Sequence, residues 1–152
     1  MEINEARLFV ELFHRRIGAP VADKPQLLAG RQSSARRLGI QVHNLAKLAA
    51  RESEGREDQL LNRAALALEE MAEWLMAHAE GDLTAVADAW GDRMYVLLGD
   101  AVETGLPVEE LFAATHRSNF TKAYGVTTGV GKAVKLEEYE EPKIAEYLKN
   151  TV

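Results

Sequence analysis

The chain has 152 residues, 47% of them hydrophobic and 28% charged, and it contains no cysteine. That is about one domain's length. The composition excludes a disordered or fibrous chain, and the missing thiol excludes disulfides, zinc–thiolate sites, iron–sulfur clusters and cysteine nucleophiles. Lys and Arg total 18 against 24 Asp and Glu, a net charge of −6. Such a field repels nucleic acid and free polyphosphate alike, unless metal ions or a local basic cluster invert the sign at one place. No apolar run approaches ~18 residues, and the N-terminal MEINEARLFVELF lacks the basic start and apolar run of a secretion signal. The expectation is a cytoplasmic protein with no membrane and no nucleic-acid partner.

Apolar spacing is helical almost throughout. A first helix is expected over 2–17, with Ile3, Ala6, Leu8, Phe9, Leu12, Phe13 and Ile17 on one side and Gly18 as its stop. Residues 18–25 hold two prolines and a glycine and read as a loop. An interrupted helix follows over 26–53, weakened at Gly30 and Gly39, each costing about 1 kcal/mol against alanine. Residues 52–58 form a polar hinge. The strongest pattern runs from 58 to 80, where Leu61, Ala64, Ala65, Leu68, Met71, Ala72, Leu75 and Ala79 make an apolar stripe. Gly81 ends that helix and Asp82 caps the next, over 83–104, with an expected core stripe of Val86, Trp90, Met94, Leu97 and Ala101. Pro107, Glu109 and Glu110 start a helix reaching about 124. Residues 125–141 read as a loop or short hairpin, and Pro142 opens a short terminal helix. The expected architecture is all-α: a single domain over 1–152, an antiparallel bundle of four or five helices in about 2–124, with an irregular C-terminal segment.

Several motifs can be set aside. The segment 125–132 falls short of a phosphate-binding P-loop, since Val126 stands where glycine is needed and Ala133 where Ser or Thr is needed. There is no nucleophile elbow, and the four histidines offer no pair four residues apart to clip zinc. The informative feature is acidic. Glu69, Glu70 and Glu73 lie at about 100°, 200° and 140° around the helix from Leu68, so their carboxylates share one side. On the following helix Asp88, Asp92 and Tyr95 share a face in the same way. If the two acidic edges oppose each other, they form an oxygen-rich site for Mg²⁺ or Mn²⁺. Taken singly, each edge reads more often as a solvated face.

Four segments carry a resemblance: Glu69-Glu70-Met71-Ala72-Glu73, Gly81-Asp82-Leu83, Asp92-Arg93-Met94-Tyr95-Val96, and His116-Arg117-Ser118-Asn119-Phe120-Thr121-Lys122. In order and spacing they resemble the MazG-like all-α nucleoside triphosphate pyrophosphatases, which include dimeric dUTPases and phosphoribosyl-ATP pyrophosphohydrolases. Phe13-His14, Gly18 to Val21 and Lys24 to Leu28 look like the N-terminal region of one branch, and Gly131-Lys132, Lys135, Tyr139 and Pro142 fit its C-terminal segment. The likeness covers most of the chain except about 31–60. It implies hydrolysis of a nucleoside triphosphate, a dNTP above all, to monophosphate and pyrophosphate, with Mg²⁺ or Mn²⁺ as cofactor and nucleotide-pool cleaning as the role. Glu70, Glu73 and Asp92 become metal ligands, and Glu69 a further ligand or the base that orients water. Asn119 and Lys122 become substrate contacts, supported by Tyr95, His14 and Lys24, with Lys132 and Lys135 closing over phosphates. A homodimer or homotetramer is implied. The chain departs from the family at one place: Ala89 stands where a metal-binding glutamate is expected, and Asp88 is the candidate to replace it. The alternative is a catalytically impaired relative that binds nucleotide or serves as an interaction bundle; a phosphoribosyl-ATP hydrolase of histidine synthesis is a third reading, which the N-terminal features fit less well.

Overall fold

The computed structural model describes residues 1–53, 58–122, 124–125 and 128–149. Among these, six helices form and no strand: α1 Ile3–Ile17, α2 Gln32–Ser53, α3 Gln59–Glu80, α4 Leu83–Thr104, α5 Val108–Phe120 and α6 Ile144–Leu148. The all-α expectation is met. None of these helices is long and apolar enough to cross a membrane. The chain divides into two compact units, one from Lys24 to Thr104, the other from Met1–Asp23 with Gly105 onward.

In the unit from Lys24 to Thr104, α3 is the central helix and packs on both α2 and α4. Its ends follow from local chemistry. The Asp58 side chain accepts from the Leu61 amide at 2.9 Å, closing the N-terminus. At the other end Gly81 takes φ +74°, a conformation that costs glycine nothing. The Gly81 and Asp82 amides then donate to the His78 and Ala77 carbonyls. Asp82 in turn caps α4, its Oδ1 accepting from the Thr84 and Ala85 amides.

Small residues set the seams. Ala46, Ala72, Ala77, Ala79 and Ala89 are buried. Gly39 lies so close to α3 that a Cβ there would stand 2.9 Å from Met76 Sδ. This is why α2 runs unbroken through Gly39: the lost helix propensity is offset by close packing. Gly30 lies outside the helix, and 26–31 are not helical, so the interrupted helix expected from residue 26 starts at Gln32. Of the expected hinge, Glu52 and Ser53 still belong to α2, Asp58 caps α3, and 54–57 lie outside the described residues.

Helix α4 differs from expectation. Val86 is buried, but Trp90 and Leu97 are 54% and 66% exposed. Two features of this helix escape apolar periodicity. Ala89, 3% exposed, is one of its two buried residues. The Arg63 guanidinium reaches from α3 to Asp100 Oδ1 at 2.7 Å, Glu103 Oε1 at 3.3 Å and the Val96 carbonyl. Gly99 makes the room: a Cβ there would sit 2.6 Å from Arg63 Nη2. Trp90 and Leu97 instead line an open groove of about 380 Å³ with Ala67, Met71 and Met94.

In the other unit, α1 packs on α5 through an aromatic cluster in which Phe9 stacks on His116, Phe13 meets Phe120 at a tilt and Phe120 meets His116 edge-on. Phe9 and His116 lie 4.9 Å apart between centroids, His116 and Phe120 4.7 Å, Phe13 and Phe120 6.0 Å. Burial, with the Arg117 charge adding to it, holds the His116 pKa below its ordinary value. Helix α1 ends as expected at Gly18, φ +70°. Helix α5 stops at Phe120 rather than about 124. There Ser118 Oγ donates to the Glu140 carbonyl at 2.7 Å and Thr121 Oγ1 accepts from the Glu140 amide at 2.9 Å, docking the C-terminal segment on α5.

Candidate active site

The five acids come together around one carboxyl. Glu70 faces inward from α3 and is half-buried, while Glu69 and Glu73 on α3 and Asp88 and Asp92 on α4 are exposed. Burial is the largest cause lifting the Glu70 pKa above the usual carboxylate range, followed by the charges of Glu73, Asp92, Glu69 and Asp88. Its Oε2 is buried and meets no hydrogen-bond donor. An acceptor so placed, among four anions, lacks a positive partner. The donor set is all oxygen, which suits a hard dication. Among the described residues, no three of these groups already stand as a closed metal cage.

The departure at Ala89 has a structural counterpart, since this residue is buried in α4. Asp88, one residue earlier, lies within electrostatic reach of Glu70. The unusual Arg93 stacks its guanidinium on the Trp74 ring, 4.7 Å from the centroid.

The expected substrate residues gather elsewhere in the fold. A cavity of about 600 Å³ in the unit containing α1 and α5 is lined by His14, Asn119, Lys122 and Lys132, with Phe13 and the loop from Thr128 to Ala133. Among the described residues no carboxylate lines it. Its polar groups are oriented. Lys122 Nζ donates to Asn119 Oδ1 at 2.7 Å, which leaves the Asn119 amide hydrogens for a ligand acceptor. His14 Nδ1 lies 3.1 Å from the Pro20 carbonyl, which can only accept, so Nδ1 carries the proton and Nε2 is the free position. Thr128 folds the loop around Lys132: its amide donates to the Lys132 carbonyl at 2.8 Å and its Oγ1 accepts from the Lys132 amide at 3.2 Å.

Three expected residues stand apart. Tyr95 is 80% exposed on α4. Lys24 is exposed and belongs to the unit of α2, α3 and α4 rather than to the His14 cavity. Lys135 pairs with Glu141 at 2.9 Å and lies over the Tyr139 ring, and it does not line the cavity. Sequence reasoning gave no role to Pro20, which acts through its backbone carbonyl, or to Thr128, which acts through its amide and its hydroxyl. Only the spacing of Thr128 four residues before Lys132 hinted at the second.

Comparison with known proteins adds the family. No curated protein matches the chain significantly. The family described as phosphoribosyl-ATP pyrophosphohydrolase matches residues 43–119, just over half of the chain, a span that holds all five acids and ends at Asn119. The chain therefore belongs to the phosphoribosyl-ATP pyrophosphohydrolase family of the MazG-like all-α nucleoside triphosphate pyrophosphatases, and pyrophosphohydrolase chemistry on a nucleotide-like substrate comes with that membership.

Proposed function

We propose that the protein hydrolyses a nucleoside triphosphate, a dNTP in the first instance, to the monophosphate and pyrophosphate, and so cleans the nucleotide pool. The observation that carries this reading is the partnerless Glu70 carboxylate ringed by four others, a charge arrangement that a divalent cation would neutralise. Glu70, Glu73 and Asp92, with Asp88 in place of the residue missing at 89, would hold Mg²⁺ or Mn²⁺. Such an ion, when bound, offsets phosphate charge and acidifies a coordinated water. Glu69 orients the attacking water and takes its proton. The water oxygen joins the α-phosphorus, the bond to the α,β-bridging oxygen breaks, and pyrophosphate leaves. Lys122 and Lys132 attract phosphate oxygens as point charges. In their own cavity, the Asn119 amide offers a donor to a sugar acceptor and His14 Nε2 offers an acceptor to a sugar hydroxyl.

A homodimer or homotetramer goes with this reading. Leu38, Ile40, Leu45 and Leu48 on α2 and Trp90, Leu97 and Val102 on α4 are exposed, apolar side chains that a second copy of the chain would cover.

The burial of Ala89 favours a second reading, a relative that binds nucleotide without turning it over. Pyrophosphate release from a panel of NTPs, dNTPs and phosphoribosyl-ATP, with Mg²⁺ or Mn²⁺, separates the two. Metal-dependent release from one or more of them supports hydrolysis. No release at high protein concentration, with nucleotide still binding, supports the impaired relative.

A further inference from the structure

A second cavity of about 410 Å³ lies in the unit of α2, α3 and α4, between the segment Leu27–Gln32 and the late part of α3. Leu27, Leu28, Ala35 and Leu75 make it apolar, and Trp74 and His78 supply its aromatic wall. The Trp74 ring is braced from two directions. His78 meets it edge-on, 4.5 Å between centroids, and Arg93 stacks on it without lining the cavity. Small-molecule sites of this size and lining are ordinary, and a fixed indole is a platform for a flat heterocycle.

The imidazole adds a polar demand. His78 Nδ1 lies 2.9 Å from the Trp74 carbonyl oxygen. That oxygen can only accept, so the proton sits on Nδ1 and Nε2 is a bare acceptor. Nε2 is buried and no donor meets it. A buried acceptor of this kind is costly until an N–H or O–H reaches it. Its position on the helix is equally informative. Glu70, Trp74 and His78 follow at four-residue steps along one ridge of α3, each step rising about 6 Å. The carboxylates thus lie at one end of the ridge, with an aromatic platform and an unmet acceptor beyond them.

We propose that this slot takes the nucleobase of the substrate, stacked against Trp74 with a base N–H donated to His78 Nε2. The assignment rests on the reading of the acids as the phosphate end, and it names residues that direct base selection along the same helix.

The test uses the full chain carrying Trp90→Phe, so that Trp74 is the sole tryptophan, titrated in EDTA with deoxyadenosine, deoxycytidine, deoxyguanosine and thymidine. Saturable change in Trp74 emission with at least one nucleoside is expected. Adding His78→Phe is expected to weaken that binding about tenfold, and His78→Gln, which restores an acceptor, to weaken it less. The same nucleoside should compete with its triphosphate in Mg²⁺. Emission unmoved by any of the four overturns the proposal. So does binding that both His78 variants leave unchanged, or binding without competition, which would mark a separate effector site. Nucleoside binding requires no metal, so Glu70→Gln should leave it intact. If hydrolysis proves absent while nucleoside binding holds, the functional reading fails and the slot stands.

Discussion

Replacing Glu70 with glutamine removes one charge from the acid cluster at constant length. Glu73, a turn away on α3, and Glu69, Asp88 and Asp92 nearby all repel the Glu70 carboxylate across partly solvated distances, so relief amounts to on the order of 1 kcal/mol. The amide also gives its neighbours a donor they lack. For a chain of this length that gain corresponds to a Tm rise of about 2–4 °C. The sign follows from linkage. The folded Glu70 carboxyl holds its proton above the ordinary value of 4.5, so its penalty is absent below that value and grows as pH climbs through the folded pKa. The advantage of Glu70→Gln is therefore largest at neutral pH in EDTA and low salt, and fades on acidification. Divalent ions reverse the ranking, because only the folded wild type binds them well: at a hundredfold excess over Kd the gain is about 2.7 kcal/mol. Thermal unfolding followed by circular dichroism, with EDTA and with Mg²⁺, measures both effects. A variant less stable than wild type in EDTA at neutral pH, or one stabilised by Mg²⁺ as much as wild type, refutes the reasoning.

Other substitutions probe the remaining features. Ala89→Glu places an acid at a buried position; in EDTA it should lower stability by on the order of 3 kcal/mol, with the deficit shrinking and pyrophosphate release rising in Mg²⁺. An equal deficit in both conditions would mean that position 89 does not face the ion. Lys132→Met should raise KM about tenfold with kcat little changed, read by steady-state pyrophosphate release, whereas a fall in kcat alone would remove Lys132 from ground-state binding. Gly99→Ala gains about 1 kcal/mol of helix propensity yet should lower Tm, since its Cβ displaces the Arg63 guanidinium; in an Arg63→Met background the same change should become stabilising, and a cycle of melts checks it. His116 has a depressed pKa, so the unfolded chain binds its proton first and stability is lost as pH falls through 6.5. His116→Phe should flatten that loss, as seen in melts between about pH 7 and about pH 5.

Helix limits were largely legible in the sequence because they are local: Gly18, Gly81 and Asp82 act within a few residues. The acids were legible for the same reason, since one helical turn fixes their arc and a two-residue connection brings α4 back beside α3. Residues 26–31 misled because an apolar run ending in glycine resembles a helix until tertiary contacts decide. The turn of α4 was not legible. Trp90 and Leu97 look like core by hydropathy, while the buried Ala89 and the reach of Arg63 over Gly99 are contacts that apolar periodicity does not encode. Likewise, His14, Asn119, Lys122 and Lys132 carry chemistry visible in their types. That they share one cavity depends on α1 meeting α5 and the loop after it, which follow His14 by roughly a hundred residues in sequence.

The central position of α3 has a consequence for how this unit opens. Helix α3 is flanked on two sides, by α2 and by α4, whereas among the described residues α2 and α4 each pack chiefly on α3. Either outer helix can peel away while the rest stays paired, and α3 melts only when both have gone. Deuterium uptake should therefore resolve two separate early openings and one late, protected segment centred on Ala72. The carboxylates along that segment would hold their spacing through excursions that strip either flank.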